Sequence, residues 1–130
     1  MTIFKKIFTI LFVLGFIFNL RAQLLDKKWK DIIYKSDDTW FATNEAKEIA
    51  ENVLLYQRDI GGWPKNIPMH NSISDQQKQE LIALKSSTKD ITTDNYATIQ
   101  EMLFLSKVYK FTPDERYKAA FLKGVDLASN

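Results

Sequence analysis

Residues 56–66 read YQRDIGGWPKN, and this stretch decides how the chain is divided into helices. It lies between two segments with helical periodicity and interrupts helix strongly, because its glycines permit unusual backbone angles and its proline has no amide hydrogen. A turn needs glycine or proline, but it does not need Trp63, Lys65 and Asn66 beside them. Two interpretations follow: a binding site on a scaffolded loop, or a helix-ending turn in which Trp63 covers the core.

The N-terminal segment has the order of a secretory signal peptide. Lys5 and Lys6 precede an apolar run over residues 7–18, and a short segment then leads to Ala22 and Gln23. The run is short for a membrane span, which needs about 20 apolar residues. A retained membrane anchor is the alternative, because the leucine two residues before Ala22 suits a cleavage site poorly.

Export also sets the charge of the mature chain. The 130 residues include 18 basic and 16 acidic side chains and no cysteine. Removing residues 1–22 takes away three basic residues and no acidic one, so 15 basic and 16 acidic residues remain, a formal charge of −1. This balance gives no basic surplus for nucleic acid, and the lack of cysteine excludes disulfides and a lipid-modified cysteine. We therefore predict a secreted or periplasmic protein with one domain over residues 23–130, no nucleic-acid partner, and no membrane association after cleavage.

The mature chain reads as helices joined by polar loops, without a convincing strand. Helical spacing of apolar residues predicts one helix over 24–35 and later helices whose starts are marked by Thr43, by a Ser74–Gln77 capping box, by Asp94 with Asn95, and by Thr112. The first helix should bury Leu25, Trp29, Ile32 and Ile33, and the last should bury Tyr117, Ala120, Phe121, Val125 and Ala128. The predicted fold class is all-α, built from antiparallel helix pairs.

Few residues offer catalytic or metal-binding chemistry. His70 is the one histidine, so a zinc site has almost no ligands available, and a histidine in such a loop is predicted to be exposed. No glycine-rich phosphate loop or nucleophile turn occurs. Asp94 either caps a helix or, with the amide of Asn95, offers oxygen ligands to Ca²⁺. If residues 74–84 form a full helix, the 61–66 loop and the Asp94 loop share one rim.

Several motifs, taken together and in order, resemble the N-terminal part of the pectate lyases of the tenth polysaccharide lyase family. They are NVLLYQR at 52–58, GGWPKN at 61–66, TDNYAT at 93–98 and DERY at 114–117, with WF at 40–41 before them and AF at 120–121 after them. The GGWPKN and DNxAT motifs are specific in combination. Ile60 departs from the family, which usually has asparagine there, and the family's catalytic domain continues well beyond residue 130.

The resemblance implies an incomplete α/α toroid, truncated at its C-terminus, and calcium-dependent β-elimination on polygalacturonate. In that chemistry a cation binds the uronate carboxylate, a base removes the C5 hydrogen, and the glycosidic oxygen leaves from C4. The family's base is an arginine from later in the domain, so the resemblance implies no catalytic residue within these 130 residues and an inactive fragment. Arg58 and Arg116 are instead predicted to form structural ion pairs.

By motif match, Asp94 is the predicted Ca²⁺ ligand. The predicted substrate-binding residues are Trp63, Lys65, Asn66 and Asn95, with Lys65 pairing with the sugar acid and Trp63 offering an apolar face. Two alternatives remain open. One is a secreted, non-catalytic helical module that binds acidic polysaccharide. The other is a glycoside hydrolase of toroid fold, which would need a well-placed pair of carboxylates.

The signal-peptide pattern makes a direct prediction about processing. Exported protein should begin at Gln23, with or without cyclisation of that glutamine, because cleavage is expected to follow the small residue Ala22. Intact-mass measurement of exported material checks this. Retention of Met1 in that material would show that the segment is an anchor.

Overall fold

The computed structural model describes residues 2–130, with the backbone alone for residues 2, 4, 15–22 and 95. The elements are α1 (Thr2–Leu25), α2 (Trp29–Lys35), a first 3₁₀ helix (Asp38–Ala42), α3 (Asn44–Tyr56), α4 (Asp75–Ala83), a second 3₁₀ helix (Asp94–Tyr96), α5 (Ile99–Phe111) and α6 (Glu115–Ser129). Within this described part there is no strand, only one isolated antiparallel bridge between Pro64 and Ile91. The all-α prediction is confirmed, and the toroid stays a prediction.

α1 contains the apolar run of the predicted signal peptide. Its described side chains between residues 3 and 14 are exposed, whereas Leu24 near its end is buried against the core. Over the part of the chain that the structure describes, no helix has the length and apolar character needed to cross a membrane. The side chain of Ala22 lies outside the described residues, and the signal peptide stays a prediction.

The core forms where α5 meets its neighbours. α5 contacts α2, α3, α6 and the first 3₁₀ helix, and α3 also contacts α4 and α6. Phe104 on α5 is fully buried and packs edge-on against Phe41 of the 3₁₀ helix, with ring centroids 5.8 Å apart. Phe41 thereby anchors the segment between α2 and α3 to the core. Burial of each such side chain contributes about 1.5–3 kcal/mol to folding.

The single helix predicted over residues 24–35 is two helices. Lys28 is extended, with φ −71° and ψ 143°, and this residue separates α1 from α2. Trp29, Ile32 and Ile33 are buried as predicted, but Leu25 is 58% exposed. The break explains the error, because helical spacing cannot be extrapolated across an extended residue.

Two predicted helix starts are displaced. Asp94 does not cap α5; it begins the second 3₁₀ helix, and α5 begins at Ile99. α6 is capped by Asp114, whose Oδ1 accepts from the Arg116 amide at 2.9 Å, rather than by Thr112. In contrast, the Thr43 cap of α3 and the Ser74–Gln77 capping box of α4 are confirmed.

The inner face of α6 is rotated relative to the prediction. Tyr117 and Ala120 are buried, and Phe121 is half-buried, but Val125 and Ala128 are exposed. Gly124 is the buried residue of that turn, and a Cβ built on it would lie 2.6 Å from the sulfur of Met102. The helix therefore approaches α5 most closely where it has no side chain, which the apolar pattern does not reveal.

The C-terminus of α3 is held by side chains from later in the chain. The last carbonyls of a helix lack partners within the helix. Lys85 Nζ donates to the carbonyls of Leu54 at 2.9 Å and Gln57 at 2.8 Å, and the indole Nε1 of Trp63 donates to the carbonyl of Val53 at 2.7 Å. The residues after α3 thus turn back and cover its end.

Gly61 allows this turn, and its replacement tests the fold. Its φ is +105°, and an added Cβ would collide with the backbone carbonyl of Lys123. We predict that Gly61→Ala lowers the free energy of unfolding by at least about 2 kcal/mol, measured by urea denaturation. Gly124→Ala is the matched control, since an added Cβ there would meet side chains, the flexible Met102 and the ring of Trp63, and not backbone; an equal loss in both variants would contradict the argument.

Candidate functional site

The loop after α3 changes from buried to exposed in the middle of its motif. Gly61, Gly62, Trp63 and Pro64 are buried, whereas Lys65 and Asn66 are exposed. Asn66 has a φ of 61°, a left-handed conformation that asparagine tolerates better than most residues. The loop is therefore anchored by its first half and presents the polar groups of its second half.

Trp63 does not line a surface. Its side chain has 0% exposure, and its indole nitrogen is bonded to α3. The predicted role of Trp63 as an apolar face for the ligand is therefore wrong. The indole is drawn inward because it satisfies an otherwise unpaired carbonyl while burying a large ring. Of the two interpretations of this residue, cover for the core is the one that the structure supports.

The loop before α5 lies against the loop after α3. Pro64 and Ile91 form the isolated bridge, and the Lys65 amide donates to the carbonyl of Asp90 at 3.3 Å. The Trp63 amide donates to the hydroxyl of Thr98 at 3.0 Å. The prediction that the two loops share one rim is confirmed, and α4 is the full helix that this arrangement requires.

Thr98 joins the two loops in an unusual conformation. It is fully buried with φ 69° and ψ −51°, and the amide of Ile99 donates to the carbonyl of Ala97 at 2.8 Å around it. A γ-turn of this form is rare and strained, particularly for a β-branched residue. The Thr98 hydroxyl accepts from Trp63 and donates to the carbonyl of Thr92 at 3.0 Å. These bonds hold the strained turn in place.

A groove of about 500 Å³ opens beside these loops. Its lining residues come from the α1–α2 junction, the 65–68 segment and the start of α5: Lys28, Trp29, Lys30, Lys65, Asn66, Ile67, Pro68, Ala97 and Gln100. Three lysines and two side-chain amides line it, and no carboxylate does so among the described residues. The predicted residues Lys65 and Asn66 lie here, and their substrate role stays a prediction.

One wall of the groove, formed by the α1–α2 junction and the start of α5, was not predicted from the sequence. Lys28, Lys30 and Gln100 were not predicted to belong to a site. A weak signal exists in the sequence, since Lys28 and Lys30 flank Trp29. When a tryptophan side chain is buried in the core, the residues on either side of it are held at fixed positions on the surface.

That wall is fixed by a buried hydrogen bond. The Trp29 indole donates to Glu101 Oε1 at 2.9 Å, and Gln100 Nε2 donates to the same oxygen at 3.0 Å. Glu101 is 1% exposed, and burial raises the pKa of its carboxyl, although the bonds from Trp29 and Gln100 partly oppose the change. Lys107 of α5 donates to the carbonyl of Ile33 on α2 at 2.8 Å. α2 is thus attached to α5 at two points.

Asp94 is exposed in the second 3₁₀ helix, and its amide donates to the hydroxyl of Thr92 at 3.0 Å. The carboxylate itself makes no hydrogen bond or ion pair to the described side chains, and it does not line the groove, although Ala97 in the same loop does. Among the described residues, no three histidine, aspartate or glutamate side chains come together as a metal site. The side chain of Asn95 lies outside the described residues, so its predicted substrate contact stays a prediction.

Three other predictions have mixed outcomes. Arg116 pairs with Glu51 at 2.6 Å and with Asp114 at 2.8 Å, which confirms a structural ion pair. Arg58 is buried, and its Nε and Nη1 have no partner among the described residues, so the predicted ion pair is not seen. His70 is half-buried and stacked on Trp29 at 6.0 Å, not exposed, and burial lowers its pKa.

The geometry defines a helical protein with a lysine-lined groove beside two loops that contact each other. A sequence profile of the pectic acid lyase family matches residues 57–129, which is more than half of the chain and includes both loops. The chain belongs to the pectic acid lyase family. Neither a curated protein nor a solved structure gives a significant match.

The link between the loops can be tested at Thr98. Thr98→Val keeps the shape of the side chain but leaves the buried Trp63 amide without its acceptor. We predict a loss of about 1–3 kcal/mol in the free energy of unfolding, measured by urea denaturation. Thr98→Ser keeps the hydroxyl and should cost about 1 kcal/mol or less. A valine variant as stable as the serine variant would show that the hydroxyl does not hold the loops together.

Proposed function

We propose that this chain binds polygalacturonate in the lysine-lined groove, as part of a secreted or periplasmic pectate lyase of the tenth polysaccharide lyase family. The observation that carries the proposal is the position of Lys65 and Asn66: both belong to the GGWPKN motif, and both line the groove. Membership of the pectic acid lyase family supports a pectate substrate. Among the described residues no carboxylate lines the groove, which supports an anionic ligand, because a uronate would meet no like charge from them.

The residues of the groove suit different parts of a sugar acid. Lys65 is exposed and would pair with a uronate carboxylate. Asn66 and Gln100 each offer an amide donor and an amide acceptor, which suits ring hydroxyls. Trp63 has an indirect role in binding, because its hydrogen bonds hold the loop on which Lys65 and Asn66 lie.

Asp94 does not line the groove, so it would hold Ca²⁺ only as an ion shared with the substrate. Ca²⁺ takes six to eight oxygen ligands, and Asp94 offers one exposed carboxylate in the described part of the chain. We propose that Asp94 contributes to a calcium site that uronate carboxylates and water complete. When bound there, the ion would withdraw charge from a uronate carboxylate and make the adjacent C5 hydrogen more acidic.

The elimination itself needs a base. The C5–H bond breaks, the electron pair forms the C4–C5 double bond, and the glycosidic oxygen leaves C4 and takes up a proton. No arginine lines the groove among the described residues, and Arg116 is already held by Glu51 and Asp114. We propose that the arginine base comes from outside these 130 residues, so that this chain alone binds the substrate without cleaving it.

One other function is favoured by a specific observation. The groove offers cations and amides but no described group placed as a base, which also suits a non-catalytic module that binds acidic polysaccharide. A glycoside hydrolase is disfavoured, because it would need two carboxylates facing the ligand and the described lining has none.

Binding of trigalacturonate tests the proposal. We predict that Lys65→Ala weakens binding about two- to fivefold by calorimetry at low salt, the usual size of one exposed ion pair. Lys118→Ala, which removes a charge away from the groove, should leave the affinity unchanged. The same protein should give no rise in ultraviolet absorbance from unsaturated products, with or without Ca²⁺. Absence of wild-type binding would refute the groove, and cleavage above a heat-treated control would refute an external base.

A further inference from the structure

We propose that Lys28 and Lys30 form a second carboxylate site in the groove that Lys65 also lines, so that the groove selects chains of consecutive uronates over single sugar acids. This inference rests on the proposed function and extends it to a specificity determinant. Both lysines lie outside residues 57–129, the segment that matches the pectic acid lyase family. The second site is therefore not implied by the family match.

Lys28, Lys30 and Lys65 line the same groove. Lys28 and Lys30 line the groove from the α1–α2 junction, and Lys65 and Asn66 line it from the loop after α3. The volume of about 500 Å³ lies within the roughly 300–1,000 Å³ of pockets that hold ligands larger than one sugar ring. Polygalacturonate carries one carboxylate on each sugar, so a bound chain would present carboxylates to both walls.

The backbone around Lys28 and Lys30 is held by the buried side chain between them. Trp29, between the two lysines, is 6% exposed and packs on Phe104 with centroids 4.9 Å apart. Its bond to the buried Glu101 leaves the indole little freedom. The backbone that carries Lys28 and Lys30 is therefore fixed before a ligand arrives, which reduces the entropy cost of binding.

The charges of Lys28 and Lys30 are not neutralised by described carboxylates. The next lysine along α2, Lys35, pairs with Asp31 at 3.0 Å. Lys28 and Lys30 form no ion pair with a described carboxylate, and Lys30 Nζ lies 5.1 Å from the centroid of the Tyr96 ring. An aromatic face attracts a cation without neutralising it. Both charges are thus left for a ligand, in a groove whose described lining residues include no acidic side chain.

The experiment compares galacturonate, trigalacturonate and fully methyl-esterified trigalacturonate on four proteins. They are the wild type, Lys28→Ala/Lys30→Ala, Lys65→Ala, and the charge-matched control Lys27→Ala/Lys118→Ala. Binding is read by NMR from the amides of Lys65 and Asn66, and thermal melting verifies that each variant is folded. We expect the Lys28/Lys30 variant to bind trigalacturonate about three- to tenfold more weakly and to bind galacturonate at the Lys65 site unchanged.

Each outcome separates this inference from the proposed function. Weaker trigalacturonate binding in the control pair would reduce the effect to overall charge and overturn the inference. So would an equal loss for galacturonate, an equal loss for the methyl ester, or no loss at all. If Lys65→Ala still weakens binding in those cases, the proposed groove stands without the second site. A wild type that binds neither acid overturns both.

Discussion

The structure depends on the burial of Trp63 with both its N–H groups hydrogen-bonded. The indole nitrogen donates to Val53 at the end of α3, and the amide donates to Thr98 at the start of α5. A Cβ on Gly124 of α6 would come within 3.3 Å of the indole ring, so α6 also lies against it. Three helices are thus related through one residue. Leaving a buried polar group unpaired costs about 1–3 kcal/mol. The three helices are therefore held in positions that keep both N–H groups of Trp63 bonded.

The groove is a consequence of this arrangement. With Trp63 held inside, the chain must emerge immediately afterwards, and Lys65 and Asn66 are the residues that reach the surface. The strained turn at Thr98 persists because its hydroxyl is bonded on both sides. Trp29 holds the α1–α2 junction in a similar way, through its hydrogen bond to Glu101. Both walls are therefore held in place by buried tryptophans: Trp63 under the 65–66 segment, and Trp29, which itself lines the groove.

Sequence analysis succeeded where the deciding interaction is local. Thr43 and Ser74 bond to amides within three residues, so their caps follow from side-chain chemistry alone. It failed at Asp94, because the start of α5 is determined by the bond from Trp63 to Thr98, 35 residues apart. The direction of Trp63 was open for the same reason. A tryptophan in a glycine-rich loop can face either way until its long-range partner is known.

The lysines show why charge counts could not reveal the site. The predicted mature chain has a formal charge of −1, yet three lysines meet at one groove. Lys85 and Lys107, of the same residue type, instead donate to backbone carbonyls and stabilise the fold. Net charge averages over these roles, whereas attraction of a ligand depends on charges within about 8–10 Å of it. Where a lysine lies relative to buried anchors, rather than how many lysines there are, determines what the surface can bind.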